Sequence, residues 1–408
     1  MLNESPTAKE RLWVVTELYY PEETSTGYYL TRIAEGLAND FDVKVLCGQP
    51  TYSARGIIAP NHEHHEGVEI FRASGTTLDK NVILFRLVNM LTLGLSVLYR
   101  ALRSFRPGDK VLVVTTPPSM PFVVALASLL KGSSYILLIH DNYPEILIAV
   151  GKSTPDSFVA KTISFFNRWL YKYAAKIIVV GRDMHDLLVR KTSGLDIPIV
   201  TIPNWAELES VSPAPRPENQ LLHELGLSDK FVFLYAGNLG HPNDLESIVE
   251  CARMLQDRTE LHFIFLGAGV KRKWLENQVE QLALENITIL DPRPRSEQSI
   301  FLNACDVALV SLVKNMVGVS MPSRTYNILA AGRPVLALTE EGSELARVVE
   351  EDKIGWVVSP YDPTSLAAAV VEIMDNRNKL IAMAESARRS ALKKYSLETA
   401  LEKYRNAI

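Results

Sequence analysis

Three segments of the sequence combine glycine, serine and arginine in a way that suits the binding of an anion. Each follows a short apolar run and precedes a helical pattern, and together they contain Gly27, Gly237, Ser320, Ser323 and Arg324. The first turn of a helix carries unpaired N–H groups, and a guanidinium adds a full positive charge with forked donors, so phosphate oxygens bind well there. Any single strand–loop–helix turn favours glycine and serine, but three in one chain predict a nucleotide-diphosphate ligand.

The motif HDNYPE places an imidazole and a carboxylate, His140 and Asp141, at the end of the apolar run 134–141. At the mouth of a sheet these groups could bond sugar hydroxyls or stabilise developing positive charge. Position alone is equally compatible with Asp141 capping the next turn and His140 being a partly buried histidine with satisfied hydrogen bonds. Arg293, in DPRPRSE, could lie near the base or ribose of a nucleotide, or in a solvated turn.

Motifs for nucleophilic catalysis, cofactors and metals are missing from the sequence. Neither Gly-x-x-x-x-Gly-Lys-Ser/Thr nor Gly-x-Gly-x-x-Gly occurs, and neither does Gly-x-Ser-x-Gly or His-Glu-x-x-His. The run HEHHE (62–66) looks like a metal tract, but it lies in a polar connection, for which we expect a solvated loop. DFD (40–42) fits a helix-to-strand turn. We therefore expect no metal, and no cofactor apart from a nucleotide-sugar substrate.

Short apolar runs alternate with helical patterns in two series along the chain, which is typical of crossover units in doubly wound α/β sheets. The segment 203–220 is rich in Pro, Glu and Ser and separates the two series. We expect an N-terminal Rossmann-like domain at 1–205, a linker at 206–220, a C-terminal Rossmann-like domain at 221–380 and a C-terminal helix at 381–408 that could return to the first domain. Ligands of such folds bind beyond the carboxyl ends of the strands, so the expected site is a cleft between two sheets.

The bulk composition excludes several classes of protein. A formal net charge of −4 gives no support for nucleic-acid binding. Cys47, Cys251 and Cys305 are widely separated, which fits a reducing compartment better than a disulfide framework or a zinc site. The N-terminus is polar where an export signal would be basic and then apolar. The apolar stretch at 86–100 is shorter than the ~20 residues of a spanning helix, so we expect a cytoplasmic protein.

Two helical stretches mix apolar and basic residues. The first, at 82–106, carries four arginines, and the second, at 158–176, carries Phe165, Phe166 and Trp169 beside lysines and an arginine. This mixture suits helices that rest on an anionic membrane surface. Domain helices with solvated basic faces are an equally good interpretation of either stretch alone.

Nearly the whole chain resembles family 4 of the retaining glycosyltransferases, which have the GT-B fold of two Rossmann-like domains facing a cleft. The resemblance is carried by ELYYPEETSTGYYLTRIAEGL, HDNYPE, YAGNLGHPNDLESIVECARML and LGAGVKRKWLE, and above all by SMPSRTYNILAAGRPVLAL followed by GSELARVVEEDKIGWVV. The sequence is similar to the branch that builds bacterial O-antigen, colanic-acid and capsule repeats, which includes the N-acetylfucosamine transferases.

The resemblance implies which residues form the site. Gly27 belongs to a loop that lines the reaction centre, and His140 and Asp141 match the position that contacts the transferred sugar. Residues matching the donor-diphosphate loop and the phosphate-binding segment are Gly237, Asn238, Ser320, Ser323 and Arg324.

The chain departs from the family pattern in its last motif. Many members place two glutamates eight positions apart there, the second bonding the nucleotide ribose, whereas this chain has Val319 and Asn327. An asparagine can still bond a ribose hydroxyl but carries no charge. Asn238 likewise replaces an arginine that is frequent in the family. The charge of a diphosphate would then rest on Arg324 and backbone donors, with help from Lys271 or Arg272.

The resulting hypothesis is transfer of a sugar from a UDP- or GDP-linked donor to a polyprenyl-diphosphate-linked saccharide, with retention, at the inner face of the membrane. A nucleotide-sugar 2-epimerase shares the architecture and would need several ionisable residues in the cleft for proton abstraction. A non-catalytic paralogue that binds a partner protein is the third interpretation, since the departures at Asn238, Val319 and Asn327 could weaken catalysis.

Overall fold

The computed structural model describes residues 9–51, 58–78 and 82–408. Residues 1–8, on which part of the expectation about an export signal rests, lie outside this part of the chain. In the described residues, strands and helices alternate in two series, and each series forms one sheet. The predicted α/β architecture with two doubly wound sheets is confirmed.

The first series lies between residues 11 and 201. Its strands are β1 (Arg11–Val15), β2 (Asp42–Cys47), β3 (His62–His65), β4 (Val68–Arg72), β5 (Lys110–Val114), β6 (Ser134–Ile139), β7 (Lys176–Val179) and β8 (Ile199–Thr201). Its helices are α1 (Ser25–Leu37), α2 (Ile83–Ser104), α3 (Met120–Lys131), α4 (Glu145–Ala149), α5 (Phe158–Tyr173) and α6 (Arg182–Lys191). The described strands form a sheet in the order β3-β4-β2-β1-β5-β6-β7-β8, in which β3 pairs antiparallel with β4 and the other pairs are parallel.

The second series contains a parallel sheet of the same construction. Its strands are β9 (Phe231–Ala236), β10 (Leu261–Leu266), β11 (Ile287–Leu290), β12 (Val307–Ser311), β13 (Val335–Leu338) and β14 (Gly355–Val358). Its helices are α7 (Gln220–Glu224), α8 (Leu245–Met254), α9 (Arg272–Gln281), α10 (Gln298–Leu302), α11 (Arg324–Ala330), α12 (Glu344–Glu351) and α13 (Pro363–Asp375). The strand order is β11-β10-β9-β12-β13-β14.

The central strands are formed by apolar runs because helices cover both faces of each sheet. In β5, the four residues from Val111 to Val114 are completely buried, and in β10 all six residues are buried. A parallel strand with two covered faces has no solvent face, so its sequence shows no alternation of apolar and polar residues. In both sheets the strand order reverses beside the first strand of the series, between β1 and β5 and between β9 and β12. The carboxyl ends at such a reversal are where doubly wound folds bind their ligands.

The C-terminal segment forms two helices, α14 (Asn378–Lys394) and α15 (Leu397–Ala407), and returns to the first sheet's domain. The chain bends at Tyr395, whose carbonyl accepts a hydrogen bond from the Ala206 N–H (2.8 Å). Leu401 of α15 packs so closely on α1 that a Cβ at Gly36 would lie 2.3 Å from its Cδ1. The predicted return of the C-terminal helix to the first domain is therefore confirmed.

Helix α2 is longer than the apolar run that the sequence suggested. Within the described residues, Leu84–Ser104 is the helix that is long and apolar enough to cross a membrane by length and composition, with a mean hydropathy of 1.2. Its residues Leu93, Val97 and Ala101 are buried, and the helix packs against α3 as part of the first domain. The helix is therefore longer than the apolar stretch at 86–100, which the sequence alone indicates is too short to span a membrane. One face of the helix packs against the first domain, and 22% of its most apolar window is buried.

Candidate functional site

A cleft of about 700 Å³ lies between the two sheets, beyond the carboxyl ends of their strands. The first domain contributes the loop before α1 and the residues after β6. The second domain contributes the loops after β9, β11 and β12. The cleft is lined by the predicted site residues His140, Asp141, Gly237, Asn238, Arg293, Ser320, Ser323, Arg324 and Asn327.

The loops that follow β6 and β12 are joined directly across the two domains. Asp141 and Ser320 form an antiparallel bridge. The Asn142 N–H donates to the Val319 carbonyl (2.9 Å), and Asn142 Nδ2 donates to the Gly318 carbonyl (2.8 Å). The motif HDNYPE therefore brings its carboxylate beside the serine of the predicted phosphate segment, and Val319 is buried at this junction.

Desolvation shifts the pKa values of His140 and Asp141 in opposite directions. Protein atoms packed around Asp141 disfavour its charged form and raise its pKa to about 6, although a hydrogen bond with Ser320 partly offsets this. The same desolvation lowers the pKa of His140 to about 4. His140 Nε2 is buried and has no hydrogen-bond partner among the described residues. At neutral pH the site thus offers a neutral imidazole and a carboxylate that can accept a proton near physiological pH.

Arg324 is held in place by an aromatic ring and two hydrogen bonds. It lies over the ring of Tyr235, with its guanidinium carbon 4.3 Å from the centroid. Its Nη1 donates to the Tyr235 hydroxyl (2.8 Å) and its Nη2 donates to Asn243 Oδ1 (3.0 Å). Nε is buried without a partner in the described part of the chain. These contacts fix the orientation of a cation that faces the cleft.

Gly237 makes room for this guanidinium. Its φ is +147°, and a Cβ at this position would lie 2.6 Å from Arg324 Nη1. The N–H of Gly237 donates to the Leu266 carbonyl (2.9 Å), so the contribution of this residue to the site is its missing side chain. The neighbouring Asn238 is exposed in the cleft.

Asn327 is buried and bonded to a residue that the sequence did not single out. The Glu207 N–H donates to Asn327 Oδ1 (2.8 Å), and Asn327 Nδ2 donates to Glu207 Oε1 (3.1 Å) and to Gln298 Oε1 (3.0 Å). Glu207 also forms an ion pair with Arg295, whose guanidinium carbon lies 3.6 Å from the centroid of the Tyr28 ring. A carboxylate from the interdomain segment thus lies beside Asn327. In the sequence, Glu207 stands out only as an acidic residue two positions after Trp205.

Three basic residues considered for the donor are already engaged within the protein. Arg293 lines the cleft but pairs with Glu297 (2.9 Å). Lys271 donates to the Asn243 carbonyl (2.8 Å) and to Glu246. Arg272 bonds the Gly267 and Leu290 carbonyls, and neither it nor Lys271 is among the residues lining the cleft. The expectation that Lys271 or Arg272 would assist Arg324 does not fit these contacts, because both cations bond other protein groups and neither lines the cleft.

Gly27 lies behind the wall of the cleft. It is buried in the first turn of α1, and a Cβ there would lie 2.8 Å from the Glu22 carbonyl oxygen. The loop before it, residues 23–26, forms the wall, and Ser25 Oγ lies 2.8 Å from Ser323 Oγ of the second domain. The loop named by the resemblance therefore reaches the cleft, whereas Gly27 provides close packing beneath it.

The histidine-rich run is a strand and not the solvated loop expected from the sequence. His62–His65 form β3, which pairs with β4. His62, His64 and Glu69 have potential ligand atoms within 4.8 Å of one another, but Glu69 already bonds both Lys44 and His62. Since these strands form one edge of the first sheet, the group is separate from the cleft between the sheets.

The family comparisons agree with this two-domain arrangement. The model for "Glycosyl transferase 4-like domain" matches residues 25–205, and that for "Glycosyl transferases group 1" matches residues 220–390. The probable glycosyltransferase WbjE of Pseudomonas aeruginosa is 30% identical over 371 residues, covering 90% of each chain. WcaI of Escherichia coli K12, whose name assigns it to colanic acid biosynthesis as a glycosyl transferase, is 26% identical and covers 86% of this chain and 89% of its own.

Solved structures show the same fold at low sequence identity. Sucrose-phosphate synthase from Thermosynechococcus elongatus superposes with a TM-score of 0.80 at 14% identity, covering 98% of both chains. Alr3699/HepE from Anabaena, solved in complex with UDP-glucose, gives a TM-score of 0.74 at 15% identity and covers 97% of this chain and 98% of its own. Together with the relationship to WbjE over nine tenths of both sequences, the fold and the cleft show that the chain belongs to the retaining GT-B glycosyltransferases of family 4.

Proposed function

We propose that the protein transfers a sugar from a UDP- or GDP-linked donor to a polyprenyl-diphosphate-linked saccharide during the biosynthesis of a surface polysaccharide. The observation that carries this proposal is that Asp141 of the first domain and Arg324 of the second domain line the same interdomain cleft. A half-buried carboxylate from one domain and an oriented guanidinium from the other suit a donor whose sugar and diphosphate lie between the domains. WcaI, related over most of its length, belongs by name to colanic acid biosynthesis, which supports the polysaccharide role.

The donor diphosphate would lie against the second domain. Arg324 supplies the positive charge, and Ser320 and Ser323 supply hydroxyl donors beside it. Because Tyr235 and Asn243 already orient the guanidinium, little reorganisation is needed as negative charge develops on the departing diphosphate. The UDP-glucose complex of HepE, which shares the fold, supports this choice of donor.

The transferred sugar would contact the first domain. His140 Nε2, buried and without a partner among the described residues, is suited to bond a sugar hydroxyl, and the Asp141 carboxylate is suited to stabilise positive charge at the anomeric carbon. The nucleoside would extend towards Asn327 and Arg295, where Glu207 supplies a carboxylate next to the asparagine. In this design the protein positions the reactants and stabilises the leaving group, and the anomeric configuration is retained.

We further propose that the enzyme works at the inner face of the membrane. Helices α2, α3 and α5 pack side by side and expose a large apolar surface with basic residues around it. A contiguous exposed apolar surface rimmed by charged residues marks an interaction site, and the basic residues suit anionic lipid headgroups. The exposed apolar residues are Leu84, Leu87, Leu91, Leu95 and Tyr99 on α2, Leu126, Leu129 and Leu130 on α3, and Phe158, Val159, Phe165 and Phe166 on α5.

A panel of UDP- and GDP-linked sugars tests the donor assignment by thermal shift, without added metal. A ligand at a hundredfold excess over its Kd stabilises the folded state by about 2.7 kcal/mol. We expect one nucleotide class to raise the Tm, and Arg324→Ala to abolish that rise. Arg253→Ala is the matched control, since Arg253 forms an exposed ion pair on α8.

Transfer itself is then followed by mass spectrometry with a polyprenyl-diphosphate-linked saccharide. A product one sugar heavier supports the proposal. Nucleotide binding with no transfer to any lipid-linked acceptor would favour the non-catalytic interpretation. Interconversion of the free nucleotide sugar would favour an epimerase, and the absence of any nucleotide shift at millimolar concentration would remove the donor assignment.

A further inference from the structure

A second cavity, of about 620 Å³, opens between α3 and α5 on the first domain. Its floor is strand β6, through the buried side chains of Leu137 and Ile139. Its walls include Phe122 from α3 and Phe166 from α5, whose rings meet edge to face at 6.4 Å. The cavity is therefore an apolar pocket that reaches from the exposed helices down to the sheet. We refer to it as the α3–α5 pocket.

The α3–α5 pocket meets the interdomain cleft at one residue. Asp141 lines both cavities, so the inner end of the pocket lies beside the proposed reaction centre. Tyr143 and Pro118 line both the α3–α5 pocket and a third cavity of about 190 Å³, which contains Arg86 and Asn89 of α2. An apolar pocket, a polar cavity with a guanidinium and the donor cleft thus converge on the motif HDNYPE.

The three adjoining cavities match the three successive parts of one kind of molecule. A lipid-linked saccharide carries an apolar chain, a diphosphate and a sugar in immediate succession. The α3–α5 pocket has the size of sites that enclose an apolar ligand of about drug size, and the neighbouring cavity offers polar groups and a cation. The outer rim of the pocket, with Phe165 and Phe166 exposed, is continuous with the apolar surface of α2, α3 and α5.

We infer that the α3–α5 pocket binds the first isoprene units of the acceptor lipid and thereby directs the acceptor sugar towards Asp141. This inference rests on the proposed function, since it assigns a binding site to the acceptor named there. The occupant is the acceptor's own chain and not a bilayer lipid, because the pocket ends at the reaction centre and its floor is the buried sheet. Acceptor recognition then depends on the lipid as well as on the saccharide.

Direct binding of geranylgeranyl diphosphate, measured with tritiated probe, tests the inference without requiring turnover. Phe166→Glu places a charge in the wall of the α3–α5 pocket, whereas Phe158→Glu places the same charge on the same helix at a residue that is 84% exposed and does not line the pocket. We expect Phe166→Glu to weaken probe binding at least tenfold and Phe158→Glu to change it less than twofold. Thr162→Trp, which fills the pocket with an apolar group, is expected to act like Phe166→Glu.

Three results would overturn the inference. They are equal weakening by both glutamate variants, unchanged binding in Phe166→Glu and Thr162→Trp, and no binding of the probe to the wild-type protein. Equal weakening accompanied by equal loss of binding to anionic vesicles would identify the surface as a membrane contact only. The nucleotide thermal shift, measured on the same samples, reports the donor site separately. A protein that retains this shift but fails the probe experiment would lose the pocket assignment and keep the proposed donor chemistry.

Discussion

Glu207 and Asn327 lie 120 residues apart in the sequence and bond each other reciprocally, with the Glu207 N–H donating to Asn327 Oδ1 (2.8 Å) and Asn327 Nδ2 donating to Glu207 Oε1 (3.1 Å). The resemblance to family 4 implies a glutamate where Asn327 stands. Here the carboxylate of Glu207, from the segment between the domains, lies beside the asparagine. The asparagine donates an amide hydrogen bond to this carboxylate, and we propose that Glu207 thereby supplies the charge that the missing glutamate would carry.

Introducing the glutamate that the resemblance implies, by Asn327→Glu, is therefore expected to destabilise the protein. The new carboxylate would face Glu207 and would lose the amide donors to Glu207 and Gln298. Like charges at this distance and unpaired buried acceptors predict a loss of about 2–4 kcal/mol in the free energy of unfolding. Calorimetry of Asn327→Glu, Glu207→Ala and the double variant forms a double-mutant cycle. The double variant should be more stable than the sum of the single effects predicts, and simple additivity would contradict the compensation.

The raised pKa of Asp141, about 6, predicts a pH dependence of both activity and stability. Folding favours the protonated form, so this stabilisation is fully present below the ordinary pKa of 3.8 and is lost as the pH rises through about 6. Asp141→Asn should then raise the Tm at pH 8, on the order of 1–3 °C, and leave it unchanged near pH 4. The wild-type kcat/KM should fall below about pH 6 as the carboxylate is protonated.

Asp156→Asn provides the control for these two profiles, because the Asp156 side chain is 94% exposed. We expect its Tm difference from the wild type to be small at both pH values and its acidic limb to be unchanged. Asp141→Asn should have little activity at any pH. An acidic limb that persists in a residual activity of Asp141→Asn would assign the titration to another group.

Gly237 is expected to tolerate no side chain. Alanine would place a Cβ 2.6 Å from Arg324 Nη1 and would keep a φ of +147°, so strain and overpacking together should cost about 2–4 kcal/mol. Gly151→Ala is the matched control. Gly151 also has a positive φ (+70°), but a Cβ there meets no heavy atom of the described residues within 4 Å, and strain alone should cost about 1 kcal/mol. Nucleotide titrations should show at least tenfold weaker binding for Gly237→Ala and unchanged binding for Gly151→Ala.

The buried parallel strands were predictable because burial on both faces gives them uninterrupted apolar runs. β3 was not, since its residues His62, Glu63, His64 and His65 are polar on both faces of an edge strand. The turn at Glu66 and Gly67 joins β3 to β4 as a hairpin, and these two residues have φ of +47° and +77°. Positive φ at both central positions suits a tight hairpin turn, and the dipeptide Glu-Gly was a weak sequence signal for it.

The residues of the candidate site also fall into two groups, those that the local sequence predicts and those that depend on tertiary packing. Asp141 could be found from the sequence because it lies two residues after the end of β6, and Arg324 because it begins α11, the helix that follows β12. In both cases the local order of strand, loop and helix already fixes the side of the sheet. Glu207 could not, because its role depends on contacts with Asn327 and Arg295, which are set by how the two domains pack. The α3–α5 pocket is equally non-local, since α3 and α5 show only apolar patterns by themselves and the space between them is a property of their packing.

The docking of the two domains should depend on Asp183 far more than on Asp186, although both residues lie on α6 and both bond the second domain. Asp183 is 3% exposed, and its Oδ2 accepts the backbone N–H groups of Gly318 (2.8 Å) and Glu344 (3.0 Å). Asp186 is half exposed and pairs with Arg347 (3.1 Å). Removing the Asp183 carboxylate leaves two buried donors unpaired, which costs about 2–4 kcal/mol, whereas the exposed ion pair of Asp186 contributes at most about 1 kcal/mol.

In calorimetry, Asp183→Ala should lower the Tm and separate the transitions of the two domains, and Asp186→Ala should leave the profile nearly unchanged. The donor KM should rise in Asp183→Ala, because Gly318 lies in the loop that carries Ser320, and equal effects of the two variants would show that this buried carboxylate does not hold the cleft together.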